Sequence, residues 1–219
     1  MLLVHGAWHG AWCWRDVLPL LPGARAIDLA GCGARAEDPA VVTLSDHGDD
    51  IARHAARVVV AHSYGGCALN QALADGAEIE HAIYLDALAP DAGEALMEAA
   101  PEADRATFQT ATECGAPIPI RPREVWPRQW GLTGTHADFA AQHLRPMPPR
   151  CFTDAVRGDP GAHPAQRTYI RCTQNISPLF DRYRARAVDR GWAVHDLDAP
   201  HCAMVTHPDE LAKLLRALS

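Results

Sequence analysis

Val58-Val59-Val60-Ala61-His62-Ser63-Tyr64-Gly65-Gly66, followed by Cys67-Ala68-Leu69-Asn70-Gln71-Ala72-Leu73, is the stretch that decides the fold. The valines read as a buried strand and the run after Gly66 suits a helix, so Ser63 stands where strand must turn sharply into helix. That turn is a nucleophile elbow, which lifts a serine hydroxyl above the edge of a parallel sheet and aims the first N–H groups of a helix at the same point. Such a turn strains the serine backbone by roughly 1–3 kcal/mol. It needs small neighbours, and Ala61, Gly65 and Gly66 supply them. The usual pattern is Gly-x-Ser-x-Gly; here the first position is Ala61, one methyl larger.

Outward from the elbow, short β-rich runs alternate with helical patterns. Strands are expected at Leu2–His5, Arg25–Leu29, Arg57–His62, Ala82–Asp86, Thr168–Cys172 and Trp192–Leu197. Helices are expected at Ala11–Leu21, from Thr43 to about Ala55, and at Pro208–Leu218, where Leu211, Leu214, Leu215 and Leu218 share a face. This alternation predicts an α/β fold: a mostly parallel central sheet of about six strands flanked by helices. Ligands then bind beyond the carboxyl ends of the strands. Residues 94–164 break the pattern, with crowded prolines, no clear strand, and bulk from Phe108, Trp126, Trp130 and Phe139. They read as a helical cap inserted into a core made of residues 1–93 and 165–219.

The bulk numbers exclude several function classes. A chain of 219 residues with 48% apolar content can bury a full core, and a net charge of −7 argues against a nucleic-acid partner. No apolar run approaches the ~20 residues that span a bilayer, so no membrane partner is expected. The chain starts directly in a strand pattern, which argues against a signal peptide. Seven scattered cysteines without a CxxC pair suggest free thiols in a reducing cytoplasm and no zinc site. Cytoplasmic localisation is therefore expected, and a homodimer is left open.

A serine nucleophile needs an oxyanion hole, a base and an acid. Val4-His5-Gly6-Ala7-Trp8-His9-Gly10 follows the first strand, and its small residues let the backbone approach a reacting carbonyl. The donors are assigned to the amides of Ala7 and Tyr64, the residue after the nucleophile. Among twelve histidines, His201 lies after the last strand and just before the closing helix, on the same sheet edge as Ser63, while His207, next to Pro208, reads as a helix start. His201 is the expected base. The acid is less plainly written. The loop after the penultimate strand, Thr173-Gln174-Asn175-Ile176-Ser177-Pro178, holds no carboxylate before Asp181. Asp86 ends the strand next to the nucleophile strand and is the favoured acid; Asn175 as a neutral orienter, or Asp91, Asp181 or Asp198, are the alternatives.

The segment from Val4 to Trp12, Asp28-Leu29-Ala30-Gly31-Cys32-Gly33, the elbow, Tyr84-Leu85-Asp86-Ala87-Leu88-Ala89-Pro90-Asp91-Ala92-Gly93-Glu94 and Ala199-Pro200-His201-Cys202 together resemble one family. It is the α/β-hydrolase fold, in the branch of hydroxynitrile lyases, plant methylesterases and bacterial carboxylesterases. The order Ser63, Asp86, His201 matches that fold's nucleophile–acid–base order. The resemblance implies a serine hydrolase without a cofactor. Asn175 departs from it, because many relatives carry the acid there.

The expected activity is hydrolysis of a small or aromatic ester, a small-molecule substrate, with Trp8, His9, Trp126 and Trp130 as apolar walls. A histidine base predicts that turnover falls as pH drops through roughly 6–7. Two other readings stand beside it. A non-catalytic small-molecule binding protein on the same fold would leave Ser63 unreactive toward a fluorophosphonate. A hydroxynitrile lyase would want a lysine by the catalytic histidine, and Lys213, the sole lysine, is distant on a helix.

Overall fold

The computed structural model describes residues 1–54 and 56–218. Its sheet is built from Leu2–Val4 (β1), Arg25–Ile27 (β2), Val58–His62 (β3), His81–Leu85 (β4), Gln166–Cys172 (β5) and Ala193–Leu197 (β6). The order is β2-β1-β3-β4-β5-β6 and every neighbouring pair is parallel. The chain winds one way from β1 to β2 and the other way from β3 onward. The order reverses between β1 and β3, and that is where such sheets open a crevice for ligands. The central strands are apolar on both faces, as a sheet covered on both sides requires: Val59, Val60, Ile83 and Leu85 are wholly buried.

Leu44–Ala52 (α1) begins with a reciprocal capping box between Thr43 and Asp46. The helix ends at Ala52 with Arg53 as its C-cap, short of the expected reach, and Ala55 itself lies outside the described residues. Gly65–Ala74 (α2) springs from the elbow and is buried along nearly its whole length. Between β4 and β5 lie Leu96–Ala99 (α3), Glu102–Cys114 (α4), Trp126–Gln129 (α5), Gly134–His143 (α6) and Arg150–Thr153 (α7). Pro178–Asp189 (α8), with proline in its first turn, leads to β6. Ala203–Thr206 (α9) and Pro208–Ala217 (α10) follow, and α10 turns Leu211, Ala212 and Leu215 into the core.

The helix expected at Ala11–Leu21 does not form. The segment breaks into two short 3-10 turns, Ala11–Trp14 and Leu18–Leu20. Pro19 has no N–H to give to Arg15 and its ring would collide with that carbonyl. Trp14, wholly buried, pins the first turn into the core instead.

Candidate active site

Ser63 sits at φ +54°, in the left-handed region. Its N–H donates to the Leu85 carbonyl at 3.2 Å, and its own carbonyl accepts from Gly66 at 3.1 Å and Leu88 at 3.0 Å. The turn has no room for side chains around it. A β-carbon on Gly6 would come within 2.9 Å of the Ser63 β-carbon, one on Gly65 within 2.7 Å of the His5 carbonyl oxygen, and one on Gly66 within 2.0 Å of the Leu88 carbonyl oxygen. Trp8 (φ +65°) and Asp86 (φ +42°) share the left-handed conformation with Ser63. These three are the non-glycine residues with positive φ among the described residues, and they lie just beyond the carboxyl ends of the adjacent strands β1, β3 and β4. Strain of about 1–3 kcal/mol each is a cost that persists only where packing over-determines it, as at functional sites.

A continuous hydrogen-bonded line runs from Ser63 to Asp86. The Ser63 Oγ lies 3.0 Å from His201 Nε2, and His201 Nδ1 lies 2.6 Å from Asp86 Oδ2. Asp86 is wholly buried and its two oxygens are shared out. Oδ2 also accepts from Asn175 Nδ2 at 2.6 Å, while Oδ1 accepts from Arg171 Nη1 at 2.7 Å and the Cys172 amide at 3.3 Å. Because Oδ2 is an acceptor, the neutral imidazole carries its proton on Nδ1 and leaves Nε2 free to accept from Ser63. Asp91, Asp181 and Asp198 are engaged elsewhere, with Arg190, Arg171 and Thr173 respectively.

The amides of Ala7 and Tyr64, which follow β1 and Ser63, donate to no other protein group among the described residues. Both flank the crevice where the sheet order reverses. The Tyr64 hydroxyl donates to His47 Nδ1 at 2.8 Å, since His47 Nε2 donates to the Ala30 carbonyl. His5 accepts from the Leu29 amide through Nε2 and gives its Nδ1 proton to the Gly6 carbonyl, so it braces the turn before Ala7. His62 turns away from Ser63 and donates from Nε2 to the His201 carbonyl at 3.0 Å, its ring 4.5 Å from the His201 ring. Burial, reinforced by the neighbouring rings of His201 and His9, holds His62 well below the usual histidine range. Burial pushes His9 and His47 down to about 4. All three rings are therefore neutral supports.

Above this line lies a cavity of about 440 Å³. Ala7, Ser63, Tyr64 and His201 form its floor. Trp8, Trp130, Phe108 and Phe152 make an aromatic wall, with Phe152 stacked on Tyr64 at 5.9 Å. Leu88, Leu179 and Phe180 add further apolar lining, with Phe180 packed on the His201 ring at 4.8 Å. Asp104 and Arg121, joined by two hydrogen bonds of 2.7 and 2.8 Å, are polar members of the lining, together with Arg128, Gln129, Asn175 and Ser177. Of the expected walls, Trp8 and Trp130 line the cavity and His9 and Trp126 do not. His9 gives its Nδ1 proton to the Ala7 carbonyl and stacks on Trp12, which draws its ring into the core. Trp126 donates to the Arg121 carbonyl and packs behind Trp130. Lys213 is exposed on α10 and takes no part in the lining.

Sequence reasoning missed Arg171, Phe108, Phe152 and the Asp104–Arg121 pair. Arg171 left a signal: a guanidinium in the middle of Thr168-Tyr169-Ile170-Arg171-Cys172, a strand otherwise destined for the core, demands a buried carboxylate. Burial works against its charge, but Asp86 and Asp181 outweigh this and raise its pKa above the ordinary arginine value.

A parallel sheet with a strained serine at the switch point, an imidazole on its hydroxyl and a carboxylate behind the imidazole defines the class of nucleophile-elbow hydrolases. The sequence model of the alpha/beta hydrolase family matches residues 1–214, and the chain belongs to that family. A carbendazim-hydrolysing esterase from Nocardioides sp. (strain SG-4G) is 32% identical over 99% of this chain and 98% of its own length. A pFDCC methylesterase of Arabidopsis thaliana is 28% identical over 100% of this chain and 94% of its own. Among solved structures, an extracellular alpha/beta-hydrolase from a Paenibacillus species superposes with a TM-score of 0.83 at 18% identity, covering 99% of this chain and 97% of that one. That likeness is one of fold.

Proposed function

We propose that this chain is a carboxylic ester hydrolase that works through an acyl-enzyme on Ser63. The observation that carries the reading is the unbroken Ser63–His201–Asp86 line, with spacings of 3.0 and 2.6 Å. In the first half-reaction His201 Nε2 takes the Ser63 proton as Oγ attacks the acyl carbon, and the amides of Ala7 and Tyr64 receive the oxyanion. Asp86 holds the Nδ1 tautomer and stabilises the imidazolium that forms. His201 then protonates the leaving alkoxide, and the same base activates water to release the acid. The named activities of the esterase and methylesterase relatives support this reading.

The substrate is a small ester, and its acyl part is flat and apolar. The aromatic wall of Trp8, Trp130, Phe108 and Phe152 beside the oxyanion amides supports that choice. Residues 94–164 act as the cap that sets specificity, since Phe108, Trp130 and Phe152 all come from them.

Labelling tests the reading. A fluorophosphonate should modify the wild-type chain at Ser63 and leave Ser63→Ala unmodified, with parallel loss of p-nitrophenyl ester hydrolysis. Wild-type protein that is folded yet neither labels nor hydrolyses any ester of a graded chain-length panel would refute it.

A further inference from the structure

We propose that Arg171 is a positioning residue for this hydrolysis, its guanidinium supplying both the counter-charge and the orientation of the Asp86 carboxylate. The proposal rests on the Ser63–His201–Asp86 reading and extends it to a residue that never touches substrate.

Arg171 is 4% exposed and lies near the carboxyl end of β5. Its Nη1 reaches Asp86 Oδ1 at 2.7 Å and the Cys172 carbonyl at 2.6 Å. Its Nη2 reaches the Asn175 carbonyl, and Nε and Nη2 both reach Asp181 Oδ1, at 3.0 and 2.8 Å. A carboxylate can swing about its Cβ–Cγ bond. Arg171 and the Cys172 amide hold Oδ1, so Oδ2 is the oxygen left to face His201. Arg171 also anchors the Asn175 backbone, and through it the amide that donates to the same Oδ2. One guanidinium thus fixes the acid and its second donor together.

The charge matters as much as the angle. A wholly buried carboxylate with no cation beside it takes up a proton more readily. Around Asp86 the facing groups are Arg171 from β5, His201 after β6, the phenol of Tyr169 and the thiols of Cys172 and Cys202, all three of the last held protonated by burial. Around His201 they are His62 from β3 and His9 from the loop after β1, both neutral through burial. On the outer side of Arg171 stands Asp181 from α8, with 63% of its side chain exposed. Among these, Arg171 is the permanent cation hydrogen-bonded to Asp86.

The experiment is the pH profile of kcat and KM for p-nitrophenyl acetate with wild type, Arg171→Met, Arg171→Gln and Arg171→Lys, each checked for folding by thermal unfolding. Arg171→Met should lower kcat by about tenfold to a hundredfold, short of the ~10⁴ expected when the carboxylate itself is lost, with KM little changed. The acidic limb of kcat/KM, where the His201 base takes up a proton, should move up by about one pH unit, because a cation that opposed a second positive charge beside Asp86 is gone. Arg171→Lys, which keeps the charge, should leave the limb near its wild-type position. Should Arg171→Met fail to fold, Arg171→Gln, which retains a donor for Oδ1 without the charge, carries the same prediction for the limb. A limb that stays at its wild-type pH in the neutral variants overturns the proposal, since a merely structural loss would reduce kcat without moving it. Ser63→Ala run alongside separates the two levels. If it retains hydrolysis, the serine reading itself fails; if it is inactive while the Arg171 variants behave as wild type, only the role of Arg171 falls.

Discussion

Replacing Asp86 by asparagine keeps the shape of the side chain but removes its charge and turns one acceptor into a donor. The carboxylate now offers Oδ2 to His201 and Asn175 and Oδ1 to Arg171 and the Cys172 amide. All four partners are donors, so an amide, with one oxygen and one NH₂, must disappoint one side. A guanidinium contact is charge-assisted and about twice as strong as a neutral one, so the oxygen should turn to Arg171. The NH₂ then faces His201 Nδ1 and donates to it. That forces the imidazole proton onto Nε2, which points at Ser63 and can no longer take its proton. In serine proteases of the Ser-His-Asp type this tautomer error costs about 10⁴ in kcat, or ~5.5 kcal/mol of barrier at ~1.36 kcal/mol per tenfold. We expect Asp86→Asn to lose about 10³–10⁴ in kcat for p-nitrophenyl acetate while KM stays close to wild type, and the thermal unfolding transition to fall but remain cooperative, because Arg171 loses its buried carboxylate. A folded Asp86→Asn enzyme within tenfold of wild-type kcat would refute the reasoning and return the acid's role to another group.

Exchanging the pair is a sharper companion. Asn175 Nδ2 already lies 3.3 Å from His201 Nδ1, so Asp86→Asn combined with Asn175→Asp should recover at least about tenfold of the lost kcat; a double variant no better than the single would show that position 175 cannot orient the ring. At Gly66 an added methyl would sit 2.0 Å from the Leu88 carbonyl, so Gly66→Ala should cost about 1–3 kcal/mol or more in urea unfolding and abolish labelling of Ser63; wild-type stability would mean the elbow is looser than its contacts imply. His9 and His47 are held down to about 4 by burial against an ordinary 6.5, so the unfolded chain binds more protons than the folded one between those values. Their contribution is complete above pH 6.5 and lost as pH falls toward 4, at most about 3 kcal/mol per ring; unfolding free energy that stays flat from pH 7 to 4.5 would contradict neutral burial. Thr43→Ala removes the hydroxyl that caps α1 and should cost about 1 kcal/mol without changing kcat, which urea unfolding and a steady-state assay would check together.

What the sequence made legible follows from how far each signal reaches. The elbow was readable because strand, turn and helix are consecutive, and the glycines that permit the turn sit beside the serine they serve. Asp86 and His201 were readable because a parallel sheet puts every strand's carboxyl end on one edge, so position after a strand is also position in space. Arg171 lay beyond this logic. Its meaning depends on the register of β4 against β5, where Leu85 pairs with Ile170 and the next residues along are Asp86 and Arg171. That pairing spans 85 residues, and no local pattern encodes it. The cavity walls were hidden for a similar reason: Phe108 and Phe152 come from separate helices, and their meeting at 4.7 Å is decided by packing. Ala11–Leu21 failed differently, because apolar spacing was weighed above Pro19, whose missing N–H is a covalent fact. At the site itself the local preferences are not merely silent but overruled. Tryptophan, serine and aspartate do not choose positive φ, yet Trp8, Ser63 and Asp86 all adopt it. A sequence consistent at every level would relax there, so the surrounding core is what holds the nucleophile, its acid and the wall beside the oxyanion amides in place.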